Sequence, residues 1–262
     1  MKKVLTLLLT VALLLPAFVV HADAEKVSLD KCTVTFSKKS YTYTGVGITP
    51  TPNVRYKNKK LKKDRDYTIY YRDNVNVGAA TVTLVGLGNY SGSTTATFQI
   101  TKGKQVIKAA NIKATYGDEP IYISTEASNP LTYHSSNRKV CTVNKVGMVT
   151  IAGAGKAKIT IHAEGSSNVR PAKKIITVSV RKASATVTAF GGLLKKGEKW
   201  DLHAETTSDG KLTFKSSNER IAMVSKKGIV KAKRKGKVTI TIRSSATKNY
   251  RAGSVKVVME VK

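Results

Sequence analysis

The side chains able to do chemistry in this 262-residue sequence are few and scattered. His134, His162 and His203 each follow an apolar neighbour, Tyr133, Ile161 and Leu202, at the alternate step of a strand, which puts the imidazoles on its outward face. A metal or acid–base site needs partners converging on the ring, and none is spaced to do so. Asp64, Asp66 and Asp73 suggest a calcium loop only if Lys62, Lys63, Arg65 and Arg72 among them are ignored, because calcium sites concentrate oxygen ligands. Ser135-Ser136 and Ser216-Ser217 lack a histidine or aspartate at a useful position in both places and read as turn formers, not nucleophiles. Gly153-Ala154-Gly155-Lys156 is too short for a phosphate loop and leads into a strand where that loop requires a helix. These residues predict no catalytic residue, cofactor or metal, and a protein that is not an enzyme.

What carries the scattered residues is a repeat. Leu131 to Ala163, LTYHSSNRKVCTVNKVGMVTIAGAGKAKITIHA, returns 81 residues later as Leu212 to Ser244, LTFKSSNERIAMVSKKGIVKAKRKGKVTITIRS, without a gap and with 14 identities in 33 positions. The retained positions are structural: apolar residues two apart, the polar turn Ser-Ser-Asn, and glycines between apolar runs. A fixed-period echo of this kind means tandem modules. The copies place Lys215 at the position of His134, Arg243 at that of His162, Ala222 at that of Cys141 and Phe214 at that of Tyr133. Trp200 matches Ile121. Cys32 and Cys141 fall in different modules, so Cys141 reads first as a small buried apolar residue and a disulfide between the two is not expected.

Period-two alternation predicts the elements. In the second module it marks Ile112 to Tyr116, Ile121 to Ile123, Leu131 to Tyr133, Val140 to Val143, Val149 to Ile151, Ala157 to Ala163 and Ile176 to Val180. Strands in this number over so short a span suit a small immunoglobulin-type sandwich. The third copy repeats the pattern around Val187, Trp200 to Ala204, Leu212 to Phe214, Ile221 to Val224, Val230 to Ala232, Val238 to Ile242 and Val257 to Val261. The first module alternates in RDYTIYYRD, AATVTLV and TATFQI, and Tyr70 points away from Tyr67, Ile69 and Tyr71. Of the tyrosines crowding this module, most are expected in the core, with one ring exposed that could otherwise meet a glycan. Gly78 with Asn89-Tyr90, Gly155 with Asn168-Val169 and Gly236 with Asn249-Tyr250 suggest one shared closing hairpin. The expected fold class is all-β, three tandem immunoglobulin-like antiparallel β-sandwich modules after a signal peptide. The divisions are 1–24 signal, 25–101, 102–181 and 182–262.

The motif Leu131-x-Tyr133-x-Ser135-Ser136-Asn137-x-x-Val140-x-x-Val143-x-x-x-Gly147-x-Val149 and its copy from Leu212 to Val230, each followed by Gly155 or Gly236 and an Ile-Thr-Ile strand, resembles group 2 bacterial immunoglobulin-like domains. Such domains are the kind seen in intimin- and invasin-type surface proteins and in many Gram-positive secreted proteins. The first module, with Tyr41-x-Tyr43-Thr44-Gly45, Asp66-Tyr67 and Gly88-Asn89-Tyr90-x-Gly92, resembles a related all-β repeat often found upstream of them. The resemblance implies spacers and adhesive stalks without a shared active site. No cell-wall sorting motif, wall-binding repeat or lipid anchor accompanies it.

Residues 1–24 read as a secretory signal: Lys2 and Lys3, an apolar run from Val4 to Val20, then Ala22-Asp23-Ala24 as a small-x-small cleavage site. The rival is an uncleaved anchor, against which Pro16 and the Ala-Asp-Ala site argue. After cleavage no transmembrane span is expected, and the place is secreted or extracellular, with association to a cell wall. Removing two lysines and one aspartate takes the formal charge from +30 to +29, spread along the whole chain. Such a surface attracts polyanions. Two runs concentrate it: Lys57, Lys59, Lys60, Lys62 and Lys63 in KNKKLKKDR, and Lys226, Lys227, Lys231, Lys233, Arg234, Lys235 and Lys237 in KKGIVKAKRKGK. Alternation with Ala232 would display several of the second set on one face of a strand. The runs read either as a solubilising surface blunting an edge strand or as a footprint for anionic cell-wall polymer or another polyanion. The second run contains no aromatic for base stacking, so sequence-specific nucleic acid is not an expected partner. The expected role is a secreted or surface modular rod for spacing or adhesion, held at an anionic envelope by charge. The alternative is an adhesin that binds a host protein or glycan through a loop site.

Overall fold

The computed structural model describes residues 25–127 and 129–262; the segment read as a secretory signal lies outside the described residues. The described residues are built from strands joined by turns, with one 3-10 turn at Leu29–Lys31. The strands form because their residues alternate. Along Gly155–Ala163 the side chains of Ala157, Ile159, Ile161 and Ala163 are buried, and Lys156, Lys158 and His162 between them face water. The chain divides into two compact units, one ending at Thr101 and the other Lys102–Lys262.

The first unit has a four-stranded sheet in the order Ser40–Thr42, Ser93–Thr101, Gly78–Gly86, Tyr67–Arg72 and a three-stranded sheet of Thr33–Thr35, Asn53–Tyr56 and Lys59–Lys60. One core draws on both sheets, with Val54, Tyr67, Val82, Leu84, Phe98 and Ile100 at its centre.

The second unit holds two cores of like construction, one around Val149, Ile159, Ile161 and Val178, the other around Val230, Ile240, Ile242 and Met259. Each has a four-stranded sheet, Ile112–Thr115, Ala172–Arg181, Gly155–Ala163, Leu131–Ser135 in the first and Leu193–Leu194, Gly253–Val261, Gly236–Ser244, Leu212–Ser216 in the second. Each also has a three-stranded sheet, Ile121–Tyr122, Met148–Ile151, Cys141–Val143 and its counterpart Lys199–Asp201, Ile229–Ala232, Ala222–Val224. The registers coincide at the repeat offset: Tyr133 faces Ile161 and Phe214 faces Ile242, while Ile121 faces Val149 and Trp200 faces Val230. Leu193–Leu194 and Glu205–Thr206 are strands that the alternation did not mark, being too short to alternate.

The first unit is wired differently. Its edge strand Tyr67–Arg72 turns directly into its neighbour Gly78–Gly86. In the second unit the matching edge strands, Leu131–Ser135 and Leu212–Ser216, are parted from their partners by a hairpin that belongs to the other sheet. The ending is common to all three cores. The closing hairpins are Gly78–Gly86 with Ser93–Thr101, Gly155–Ala163 with Ala172–Arg181, and Gly236–Ser244 with Gly253–Val261. The incoming chain bonds the hairpin loop each time, through the N–H of Val27, Gly103 and Ala183 to the carbonyls of Asn89, Asn168 and Asn249.

The Ser-Ser-Asn turn has a structural use. Ser135 Oγ donates to the Cys141 carbonyl at 2.7 Å and Ser216 Oγ to the Ala222 carbonyl at 2.6 Å, both buried, so the hydroxyl ties the last residue of one sheet's edge strand to the first of the other sheet. The next serines, Ser136 and Ser217, accept from the N–H of Lys158 and Thr239, and Asn137 and Asn218 accept from Lys139 and Arg220 two residues on. Gly147 and Gly228 stand at φ +79° and +82°, and a Cβ there would lie 3.0 Å from the Tyr133 ring and 3.1 Å from the Phe214 ring. The repeated glycine and the repeated aromatic are therefore one packing unit.

Within the second unit the two cores meet through specific contacts. Asn249 Oδ1 accepts the Ala154 N–H at 2.9 Å, and the rings of Tyr116 and Tyr250 pack edge to face at 5.4 Å.

Candidate functional site

The basic runs do not lie as their sequence suggests. Lys226 and Lys227 occupy the turn of the Ala222–Val224 and Ile229–Ala232 hairpin, and Lys231 alone of the run lies on the strand Ile229–Ala232. That strand is central in its sheet, so for this run the expectations of a basic edge strand and of one strand face displaying the lysines are both corrected. Lys233, Arg234 and Lys235 sit at the corner between the sheets, where the N–H groups of Lys233 and Arg234 both bond the Ile221 carbonyl and stop the strand. Lys237 belongs to the other sheet and lies 3.7 Å from Glu260. All seven are exposed, so the charge is spread around a corner.

In the first unit the run is split by the reversal at Lys57, whose φ is +49° and whose ammonium lies 5.4 Å from the centre of the Tyr56 ring. Lys59 and Lys60 form the short edge strand. Lys60, Lys62 and Lys63 line a cavity of about 780 Å³ whose floor includes Phe36, Asn53, Leu61 and Tyr67. Asp66 is unavailable to a cation: it is buried, its carboxylate takes both Nε and Nη2 of Arg65 at 3.0 and 2.7 Å, and it accepts the Lys62 N–H at 2.7 Å. The Arg65 hydrogen bonds hold its carboxyl below the usual range against the opposing effect of burial. Asp73 lies 3.4 Å from Arg72.

His134 and His162 are exposed on neighbouring strands, as the alternation predicts, with Thr160 facing His134 and Thr132 facing His162. His203 is not on a strand. The segment expected to run to Ala204 ends at Asp201, whose carboxylate accepts the His203 N–H at 2.8 Å and holds that residue at φ +42°. Cys32 and Cys141 are free thiols; burial pushes both up in pKa, and Cys141 is fully buried 3.7 Å from Ser135 Oγ.

Tyr70 is 61% exposed, the counterpart of Thr83, on a sheet face where Thr81 is paired with Thr97 and Thr83 with Thr95. The other tyrosines turn inward: Tyr67 and Tyr90 are buried, Tyr71 Oη donates to the Pro50 carbonyl at 2.9 Å, and burial pushes all three phenols up in pKa.

A second basic surface escaped the sequence reading. On the outer face of the third core's four-stranded sheet, Lys215, Arg243 and Lys256 stand on three adjacent strands around Thr241. They line a cavity of about 610 Å³ with Thr213 and Ser217. These residues are far apart in sequence, and only the strand register brings them together.

The family model for the bacterial Ig-like domain (group 2) matches residues 177–255, most of the third copy. In an alignment 179 residues long that covers 61% of the chain, the sequence is 30% identical to a 3-O-alpha-D-galactosyl-alpha-L-arabinofuranosidase of Bifidobacterium longum subsp. longum. The match covers 14% of that enzyme's length. Similar solved structures include domains 1–6 of the surface layer protein SbsC, 16% identical with TM-score 0.33 over 87% of this chain and 40% of that one. Drosophila N-cadherin EC1-4 is 13% identical with TM-score 0.31, over 87% of this chain and 75% of that one. The expectation that the protein is not an enzyme is corrected by the arabinofuranosidase: sequence of this kind occurs inside a glycosidase, so the lack of a converging constellation in these modules does not exclude an enzyme.

Proposed function

Taking residues 177–255 as a bacterial Ig-like domain of group 2, we propose that the chain is an extracellular spacing or adhesive segment of a modular surface protein, held at an anionic polymer by its basic skin. The observation that carries this is the excess of exposed cations lacking carboxylate partners. Of the thirteen lysines and arginines in the two runs, Lys63, Arg65 and Lys237 alone lie within 4.0 Å of a carboxylate among the described residues. Their fields sum to a potential that draws polyanions within about a Debye length, roughly 8 Å at physiological salt. Residues 25–101, 102–181 and 182–262 each serve as one module in this reading, and limited proteolysis should cut first near residues 102 and 182. No helix among the described residues is long and apolar enough to cross a membrane.

The test is retention of the mature protein on purified cell walls, with and without teichoic acid, across a salt series. Retention that falls steeply with salt and needs the polymer supports the reading; salt-insensitive retention, or none, overturns it.

A second reading is favoured by two observations, the exposed Tyr70 among threonine hydroxyls and the glycosidase relative. In it the first module is a glycan-directed segment that serves a glycosidase, the tyrosine ring stacking on a sugar face. A glycan array separates the two: a few salt-resistant hits lost in Tyr70→Ala favour this reading, and broad recognition of sulfated polymers favours the first.

A further inference from the structure

Part of the surface charge is gathered on the outer face of the third core's four-stranded sheet. Strand register puts Lys215, Thr241 and Lys256 side by side across three adjacent strands, Leu212–Ser216, Gly236–Ser244 and Gly253–Val261. Neighbouring strands lie about 4.8 Å apart, so the two lysine Cα atoms are roughly 10 Å apart with the threonine midway. Arg243 follows Thr241 by one full pleat, about 6.7 Å along the same strand, and so projects from the same face. The inward neighbours Phe214, Ile240, Ile242 and Val257 belong to the core, which fixes the outward direction of the other set. Thr213, opposite Arg243, also lines the cavity of about 610 Å³, with Phe214, Ser216 and Ser217, and no carboxylate is in the lining. None of the three cations pairs with an acid within 4.0 Å among the described residues; the Lys237 and Glu260 contact lies further along the sheet.

We propose that this face is a binding site for a tetrahedral oxyanion ester, phosphate or sulfate, in which Lys215, Arg243 and Lys256 hold the anion over the Thr241 hydroxyl. The chemistry suits the geometry. A guanidinium donates two parallel hydrogen bonds to such an ester, and two ammoniums reach it from opposite sides as mobile point charges. The threonine hydroxyl at the centre donates to an oxygen. Diffuse attraction to a basic surface would not require the three cations to converge; a site does.

The second copy of the fold supplies a control. The positions of Lys215, Thr241, Arg243 and Lys256 are taken there by His134, Thr160, His162 and Ile175, in the same strand register. The strand register is the same and the cation set is not, so the site belongs to the third copy and not to the fold.

This inference rests on the proposed attraction to polyanions, and its test separates the two. Backbone amide shifts of the full chain are followed by NMR during titration with glycerol 3-phosphate, then with an oligomer of glycerol phosphate and with a sulfated oligosaccharide. Saturable shifts centred on Thr213, Thr241 and Arg243 are expected. The better of the two oligomers identifies a wall phosphodiester or a sulfated glycan as the source of the ester. The variant Lys215→Gln/Arg243→Gln/Lys256→Gln is compared with Lys231→Gln/Lys233→Gln/Lys235→Gln, which removes the same charge outside the cavity. The first should weaken the saturable phase about tenfold or more, the loss of at least one charged hydrogen bond, and the second should leave it within about twofold. Equal losses in both, or shifts spread over the whole surface, would overturn the site while leaving general polyanion retention standing. In the opposite direction, His134→Lys/His162→Arg/Ile175→Lys should raise the stoichiometry from one ester per chain to two; an unchanged stoichiometry in a folded variant counts against the proposal.

Discussion

Asn249 Oδ1 accepts the backbone N–H of Ala154 at 2.9 Å, although Ala154 immediately precedes the strand Gly155–Ala163 of one core of the second unit and Asn249 follows the strand Gly236–Ser244 of the other. The same asparagine's carbonyl receives the Ala183 N–H, so a single residue both holds the chain entering its own core and anchors the turn before Gly155–Ala163 of the neighbouring core. Tyr250, next in the chain, sets its ring against Tyr116. Asn249→Ala removes the side-chain link and leaves the backbone one. It should cost about 1 kcal/mol, a typical net hydrogen bond, and the measurable sign is faster exchange at the Ala154 amide in hydrogen-exchange mass spectrometry. An unchanged rate there would remove the bond from the account of this joint.

The serine clasp makes a paired prediction. Ser135→Ala and Ser216→Ala each leave a buried carbonyl, of Cys141 or Ala222, without its donor. Each should destabilise its own core by about 1–3 kcal/mol, and the costs should agree because the two geometries agree. Urea unfolding of both variants checks this; a large disparity would mean that the shared turn supports the two cores by different contacts.

Acid sensitivity of the first unit should pass through Asp66. Its folded pKa is depressed by the Arg65 guanidinium, so it adds stability that is complete above the unfolded value of about 3.9 and is lost as pH falls through the lower folded value. Asp66→Asn should lower stability at pH 7 and flatten the dependence below about pH 4. Amide exchange on residues of the first unit between acid and neutral pH gives the readout, and a variant as acid-sensitive as the parent would contradict it.

The thiols differ in access. Cys32 is half-buried and Cys141 fully buried, so a thiol reagent should label Cys32 first and reach Cys141 only on unfolding. Cys141→Ala should cost about 1 kcal/mol or less, near the middle of ordinary substitutions, because Ala222 fills the same place in the other copy without an altered register. Labelling kinetics followed by mass spectrometry distinguishes the two sulfurs.

Most of the second unit's plan was legible because one inward-facing residue in two is enough to reveal a strand, and because the repeat wrote the plan twice. The runs around Ile159 and Ile240 could be read in no other way. Legibility failed where backbone bonding overrides alternation. Lys231, Lys233 and Lys235 keep their period through a corner made by two N–H groups on one Ile221 carbonyl, and His203 leaves its strand because Asp201 captures its amide. The wiring of the first unit was hidden too, since period-two patterns fix faces but not neighbours. The surface around Thr241 was invisible for a related reason: its cations are neighbours only after three strands have chosen their register.

The short strands Ser40–Thr42, Ile112–Thr115 and Leu193–Leu194 each run parallel to the strand that ends the same core. A pull applied along the chain therefore drives the entering and leaving segments of a core in opposite directions along one shared ladder, loading its rungs together instead of peeling them one at a time. A tether made of such units would yield in abrupt steps under flow, each step set by the few bonds of that ladder.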